Sequence, residues 1–144
     1  MVTGNKNVGK KAIARALEKR LFEDGRIVYF LGIGNILYGV DADIKHKPGK
    51  NGREEHIRRL AEVAHIMMES GVILIVTAVD LTQDDLETMK TTVDPEKIEV
   101  VWVGDQVTTD LTSDIYIESD FQIEEVVGEI KENLQNKGIV FRPW

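Results

Sequence analysis

Apolar residues recur along this chain in two rhythms, one of period near 3.6 and one of short continuous runs, and the two alternate. In residues 11–23 (KAIARALEKRLFE), Ile13, Ala16, Leu17 and Leu21 share one helical face, and Gly25 follows as a stop. Residues 26–31 (RIVYFL) read as a short buried strand. The stretch 54–70 places Ile57, Leu60, Ala61, Ala64, Met67 and Met68 on one stripe. Glu54–Arg58, Glu55–Arg59 and Arg58–Glu62 lie on the other side as favourable near-neighbour pairs. Gly71 ends that helix, and 72–79 (VILIVTAV) is an unbroken apolar run of the kind covered on both faces of a parallel sheet. A helix over 82–91 opened by Thr82, strands over 98–103 (IEVVWV) and 115–117, and a helix over 123–136 closed by Gly138 complete the series. Between the second and third of these elements, 41–53 (DADIKHKPGKNGR) is polar, carries Pro48, Gly49 and Gly52, and reads as an irregular surface connection.

Alternating strands and helices predict an α/β domain with a mostly parallel sheet of about five strands and helices on both faces. In such sheets ligands sit beyond the carboxyl ends of the strands. That gathers the segment 4–11, the loop 32–35 and residues 77–80 at one end. At 144 residues the chain is one domain by size, large enough for a core without disulfides.

The absence of cysteine removes disulfide frameworks, thiolate zinc sites and thiol catalysis, and fits a reducing, cytoplasmic setting. A formal charge of −7 argues against nucleic-acid binding, which needs a basic face. The longest apolar run is far too short to span a bilayer, so no membrane partner is expected. His46, His56 and His65 are not spaced as a metal set, so no metal site is assigned to them. Asp84–Asp85 and Glu124–Glu125 are expected at helix starts, where negative charge suits the helix dipole. In the tail, Phe141 and Trp144 either pack on the domain or form an interface.

The stretch with most chemistry is Gly4-Asn5-Lys6-Asn7-Val8-Gly9-Lys10-Lys11. It has the spacing of a phosphate-binding loop: Gly, four residues, Gly, Lys. The usual Ser or Thr that ligates magnesium is replaced by Lys11. Lys10 and the helix N-terminus can still grip a phosphate, and Lys6 and Lys11 add positive charge that either substitutes for the metal or plugs the pocket. The alternative is a loop kept only as a helix-starting turn. Only Met1, Val2 and Thr3 precede the loop, whereas a strand of about five residues is usual. The expectation is a tightly trimmed domain or a piece of a longer polypeptide whose upstream residues complete the strand. Asp80, at the end of the strand 72–79, is a candidate metal ligand, with a capping or solvated carboxylate as the alternative.

Several ordered pieces resemble adenylylsulfate kinase, which phosphorylates adenosine 5'-phosphosulfate at its 3' hydroxyl. They are TGxxxxGK, ALEKRL, Gly25 before VYFL, and REEHIRRLAEVAHIMMESGVILIVT, together spanning about Thr3 to Val79. The resemblance implies a three-layer P-loop nucleotide-kinase fold, ATP as phosphoryl donor with magnesium if the domain is active, and a substrate side at Asn35, Arg53 and His56. It also marks departures. The family pattern D-G-D-N-V-R-H-G is met here by Gly32-Ile33-Gly34-Asn35-Ile36-Leu37-Tyr38-Gly39, so both aspartates are glycines and the substrate-gripping arginine is Leu37. The family's S-F-I-S-P-F-R becomes Thr77-Ala78-Val79-Asp80-Leu81-Thr82-Gln83, and the path from Val103 to Ile115 holds no counterpart of the family's basic lid.

These losses point to a catalytically impaired domain that binds a nucleotide or phosphate and serves as a regulatory or interaction module. The alternatives are an active kinase, with Asp80 and the extra lysines compensating, and a purely structural dimerisation domain. Family members fused to sulfate-activating partners, including a GTPase subunit, make such a domain an expected neighbour, and a homodimer a further one.

Overall fold

A computed structural model of the chain describes residues 1–32 and 50–141. Ile33, Gly34, Asn35, Leu37, His46 and Trp144 lie outside the described residues, as does most of the connection 41–53.

Among the described residues five strands form the middle layer: β1 (Val2–Gly4), β2 (Val28–Leu31), β3 (Ile73–Val76), β4 (Val101–Val103) and β5 (Ile115–Ile117). Strands β1, β4 and β5 pair in that order and β2 pairs with β3, all in parallel. A parallel bridge between Val2 and Thr77 joins the two groups. It is extended by Ala78 N–H donating to Val2 O at 3.0 Å and Asp80 N–H donating to Gly4 O at 2.9 Å. The strand sequence is therefore β2-β3-β1-β4-β5, with the loop-bearing β1 in the centre.

Helices α1 (Lys10–Glu23), α2 (Lys50–Glu69), α3 (Gln83–Lys90) and α4 (Ile123–Asn136) flank it. Ile13, Leu17 and Leu21 of α1 bury with Val127, Ile130 and Leu134 of α4 against one face. On the other, Ile57, Ala61 and Ala64 of α2 meet Leu86 and Met89 of α3 over the fully buried Trp102. The indole N–H of Trp102 donates to Gln106 O at 3.2 Å, which satisfies the one polar group of that ring. This is the three-layer α/β arrangement of P-loop kinases.

The structure corrects the sequence reading in two places. Helix α2 begins at Lys50, so the last residues of the stretch read as irregular connection are helical, with Gly52 inside. Glycine costs a helix about 1 kcal/mol, and the anchoring of Arg53 described below outweighs it. The strands are also shorter than their apolar runs. Along β4 the ladder starts only at Val101, because Val100 N–H is taken by the Asp114 carboxylate at 2.8 Å. Helix α4 and strand β5 fall where the pattern placed them, and Glu124 and Glu125 occupy the first turn of α4.

Candidate functional site

Residues 4–9 leave β1 and turn into α1 through three left-handed positions: Gly4 at φ 137°, Asn7 at 57° and Gly9 at 93°. Gly4 is required sterically, since a Cβ there would stand 1.9 Å from Val103 O. Gly9 caps α1 with no side-chain hydrogen bond, and the first turn holds no acid. The first intrahelical bond, Ile13 N–H to Gly9 O at 3.1 Å, leaves the preceding helical amides of Lys10, Lys11 and Ala12 without a helical acceptor. An anion is the natural partner for such an end.

Lys10 is half-buried and folds back so that its Nζ donates to Asn5 O. Burial pushes its pKa below the ordinary 10.5, and the Asp80 charge opposes that shift. Lys6 and Lys11 are exposed.

Asp80 reaches the loop from the other side. Its φ is 46°, an uncommon conformation for a non-glycine residue. Its Oδ1 accepts from Thr108 Oγ1 at 3.0 Å and from Asn5 Nδ2 at 3.5 Å, while Asn5 Nδ2 also donates to Thr108 Oγ1 at 3.1 Å. Asn5 lies directly over Gly104, where a Cβ would stand 2.4 Å from its Oδ1. The loop is thus braced by the ends of β3 and β4. Thr108 and Gly104 were missed in the sequence, where only their position after an apolar strand marks them.

Arg53 and His56, which the resemblance implies on a substrate side, lie near one another. They line a cavity of about 110 Å³ with Ile57, Leu60 and the segment 76–79. Sites for whole small-molecule ligands occupy about 300–1,000 Å³, so the described walls do not enclose a nucleotide. Arg53 itself is engaged: its guanidinium contacts the Asp85 carboxylate at 2.6 and 3.1 Å and donates to Asp80 O at 3.2 Å. Asp85 is buried and closes a capping box with Thr82, accepting from Thr82 N at 3.0 Å while its own N–H donates to Thr82 Oγ1 at 3.1 Å. The sequence marked Asp85 as a helix-start acid but gave no sign of Arg53 as its partner. Asn35, the third substrate-side residue, lies outside the described residues.

The donor set around the loop is poorly matched to magnesium, which prefers carboxylate, hydroxyl and water oxygens. Lys11 stands where the ligating hydroxyl belongs, and Asp80, the carboxylate beside the loop, already accepts from Thr108 and Asn5. Among the described residues no three His, Asp or Glu side chains converge as a metal set. His65 instead faces Glu69 at 3.1 Å, one turn along α2.

A glycine-shaped turn at the end of a central parallel strand, opening a helix whose first amides face outward, defines a P-loop protein of the kinase type. The adenylylsulphate kinase family model matches residues 1–116, and the chain belongs to that family. An adenylyl-sulfate kinase of Clostridium acetobutylicum is 35% identical over 98 residues, covering 68% of this chain and 48% of the relative. The bifunctional enzyme NodQ of Rhizobium sp. is 41% identical over 75 residues, 52% of this chain and 11% of that enzyme. The APS kinase CysC of Mycobacterium tuberculosis, solved in complex with AMPPNP and APS, superimposes with a TM-score of 0.78 at 20% identity, over 93% of this chain and 95% of that one. This last likeness speaks for the fold. The chain spans about half the length of the adenylyl-sulfate kinases it matches.

Proposed function

We propose that this chain is a catalytically impaired adenylylsulphate kinase domain that binds a nucleotide or phosphate at Gly4, Asn5, Lys6, Asn7, Val8, Gly9, Lys10 and Lys11 and acts as a regulatory or interaction module. The observation that carries the reading is Lys11, a cation in place of the metal-binding hydroxyl, at the mouth of a loop whose amides remain arranged for an anion.

Phosphoryl transfer relies on positioning and on charge neutralisation by metal, lysine and arginine. Loss of a catalytic base costs about 10²- to 10⁴-fold, and each lost electrostatic contact roughly 10²- to 10³-fold. Here the aspartates are replaced by Gly32 and Gly34, the arginine by Leu37, and Arg53 is held by Asp85. The deficits fall on different parts of one reaction and so compound. Asp80 has two neutral donors on one oxygen, which favours a structural brace over a metal ligand.

The name "bifunctional" of the NodQ relative supports a fused sulfate-activating neighbour, such as a GTPase domain, as partner; a homodimer is the second partner proposed. We assign a cytoplasmic setting from the cysteine-free composition. Among the described residues no helix is long and apolar enough to cross a membrane.

A second reading, an active kinase using ATP and magnesium, is favoured by the names of the relatives. A thermal-shift series with ATP, ADP and sulfonucleotides, with and without magnesium, tests the proposal. Stabilisation independent of magnesium supports it, and none at concentrations well above millimolar leaves a purely structural dimerisation domain.

A further inference from the structure

Among the described residues the sheet ends on β2 and β5, and the two edges differ. Strand β5 is three residues long, and a strand that short offers little to pair with. Strand β2 lies in the run Arg26-Ile27-Val28-Tyr29-Phe30-Leu31, which holds neither Pro nor Gly and is rich in β-branched and aromatic residues. One bond fixes which way its main chain points. Ile73 N–H donates to Ile27 O at 2.8 Å, so in the parallel register from Val28–Ile73 to Leu31–Val76 the main-chain groups of Ile27, Tyr29 and Leu31 turn toward β3. Those of Val28 and Phe30 turn outward.

One of these outward amides is taken by a side chain. Phe30 N–H donates to Glu18 Oε2 at 2.7 Å, a carboxylate carried by α1. Arg15, one turn earlier on the same helix, holds the other carboxylate oxygen at 3.4 Å and lies over the Phe30 ring, 4.8 Å from its centre. Glu18 is therefore steadied by a residue that touches the same phenylalanine whose amide it accepts. The bond caps no helix end; what it covers is the rim of the sheet. On the opposite face of β2, where Leu31 packs with Leu60, alternation places Ile27 and Tyr29, and these remain 67% and 44% exposed.

We propose that Glu18 is a guard that closes the rim of β2 to a second copy of this chain, and that removing it opens a two-fold dimer through β2. The outward groups fix the register. In an antiparallel pair about a two-fold axis, Val28 of each copy exchanges both main-chain bonds with Phe30 of the other, and the two Tyr29 residues face each other at the centre. Four hydrogen bonds result, and two of them need the Phe30 N–H that Glu18 holds. The occupant is a second copy because self-pairing matches the exposed side chains with one another: Tyr29 meets Tyr29 in the closer kind of antiparallel pair, and Ile27 meets Leu31. The Glu18 carboxylate and the incoming Val28 carbonyl compete for one N–H, and two acceptor oxygens in contact repel. Guard and dimer therefore exclude each other. The inference is independent of the phosphate loop, and it withholds this edge from any homodimer of the parent chain.

The test compares the parent chain with Glu18→Ala, Glu18→Gln and the double variant Glu18→Ala/Tyr29→Lys, by sedimentation and amide exchange over a range of concentrations. Alanine is a strong helix former, so α1 survives the change. In the parent chain Phe30 N–H should be protected and Val28 N–H unprotected at every concentration. In dilute Glu18→Ala, Phe30 N–H should exchange roughly tenfold faster, the scale of one lost bond to a carboxylate. At millimolar concentration that variant should gain mass over the parent chain, with Val28 and Phe30 both protected. Glu18→Gln keeps an acceptor oxygen and should match the parent chain. Tyr29→Lys sets like charges at the centre of the pair, so the double variant should lose the added mass and keep the fast Phe30 amide. Unchanged Phe30 exchange in Glu18→Ala, the mass of the parent chain at every concentration, or added mass with Val28 N–H unprotected would each overturn the guard. So would protection of Val28 N–H in the concentrated parent chain.

Discussion

Arg53 and Asp85 form a forked ion pair, with contacts of 2.6, 3.1 and 3.3 Å, that ties the start of α2 to the start of α3. One partner is buried and the other half-exposed. The pair sits one residue layer from Asp80, whose carbonyl the same guanidinium contacts. An arginine that the family resemblance places toward substrate is thus a clamp between two helix ends.

Replacing Asp85→Asn should remove the charge that holds Arg53 and weaken the reciprocal cap with Thr82. The expected loss is about 1–3 kcal/mol, read as a lower urea midpoint at unchanged m-value. Arg53→Lys, which keeps the charge and loses the fork, should cost less. Equal stability of Asp85→Asn and the parent chain would remove the clamp.

The same carboxylate gives a pH signature. Burial raises the Asp85 pKa, but hydrogen bonds from Arg53 and Thr82 outweigh it and the net shift is below the ordinary 3.8. The unfolded chain therefore takes up this proton at higher pH than the folded one. Stability from Asp85 is complete above about pH 5, where the unfolded group is ionised, and is lost as the pH falls through 3.8 and below. The gap in urea midpoint between the parent chain and Asp85→Asn should be widest near neutrality and close progressively in acid. A gap constant down to pH 2.5 would show that the charge contributes nothing.

At the loop, Gly4→Ala and Gly104→Ala should both destabilise, and in that order. A Cβ at Gly4 meets the main chain of Val103 at 1.9 Å, which cannot swing away; at Gly104 it meets the Asn5 side chain at 2.4 Å, which can. Both positions also hold positive φ. We expect more than 3 kcal/mol for the first and about 1–3 kcal/mol for the second. The reverse order in urea unfolding would contradict the packing described.

Asp80→Asn separates a brace from a metal ligand. With the negative charge gone from beside Lys10, inorganic phosphate and ATP without magnesium should bind about threefold to tenfold more tightly, as one removed repulsion of order 1 kcal/mol implies. Weaker binding, appearing only when magnesium is present, would restore Asp80 as a ligand. Isothermal titration of both proteins in both conditions decides it.

The parts of this molecule legible in the sequence are those set by local pattern. The face of Ile13, Leu17 and Leu21 located α1, and the glycine spacing located the turn that joins β1 to it. Thr82 announced the start of α3, though its partner Asp85 also carries a bond to a residue 32 positions away that no periodicity reveals. Helix α2 started early for the same reason: the Arg53 contact outweighs the local cost of Gly52. Strand ends were overestimated because an apolar run records burial, while a ladder needs a neighbour. Val100 is buried yet spends its amide on Asp114. Thr108 joined Asp80 and Asn5 only through the meeting of two strand ends, a relation that depends on strand order and not on spacing.

The most direct test of a phosphate cradle without its metal is ATP binding and turnover measured on one preparation, with adenosine 5'-phosphosulfate supplied and magnesium present or absent. Expected is saturable ATP binding that magnesium does not strengthen, lost in Lys10→Ala, with no ADP formed by either the parent chain or Lys11→Ser. Magnesium-dependent ADP formation by the parent chain, stoichiometric with phosphorylation of the sulfonucleotide, would contradict it.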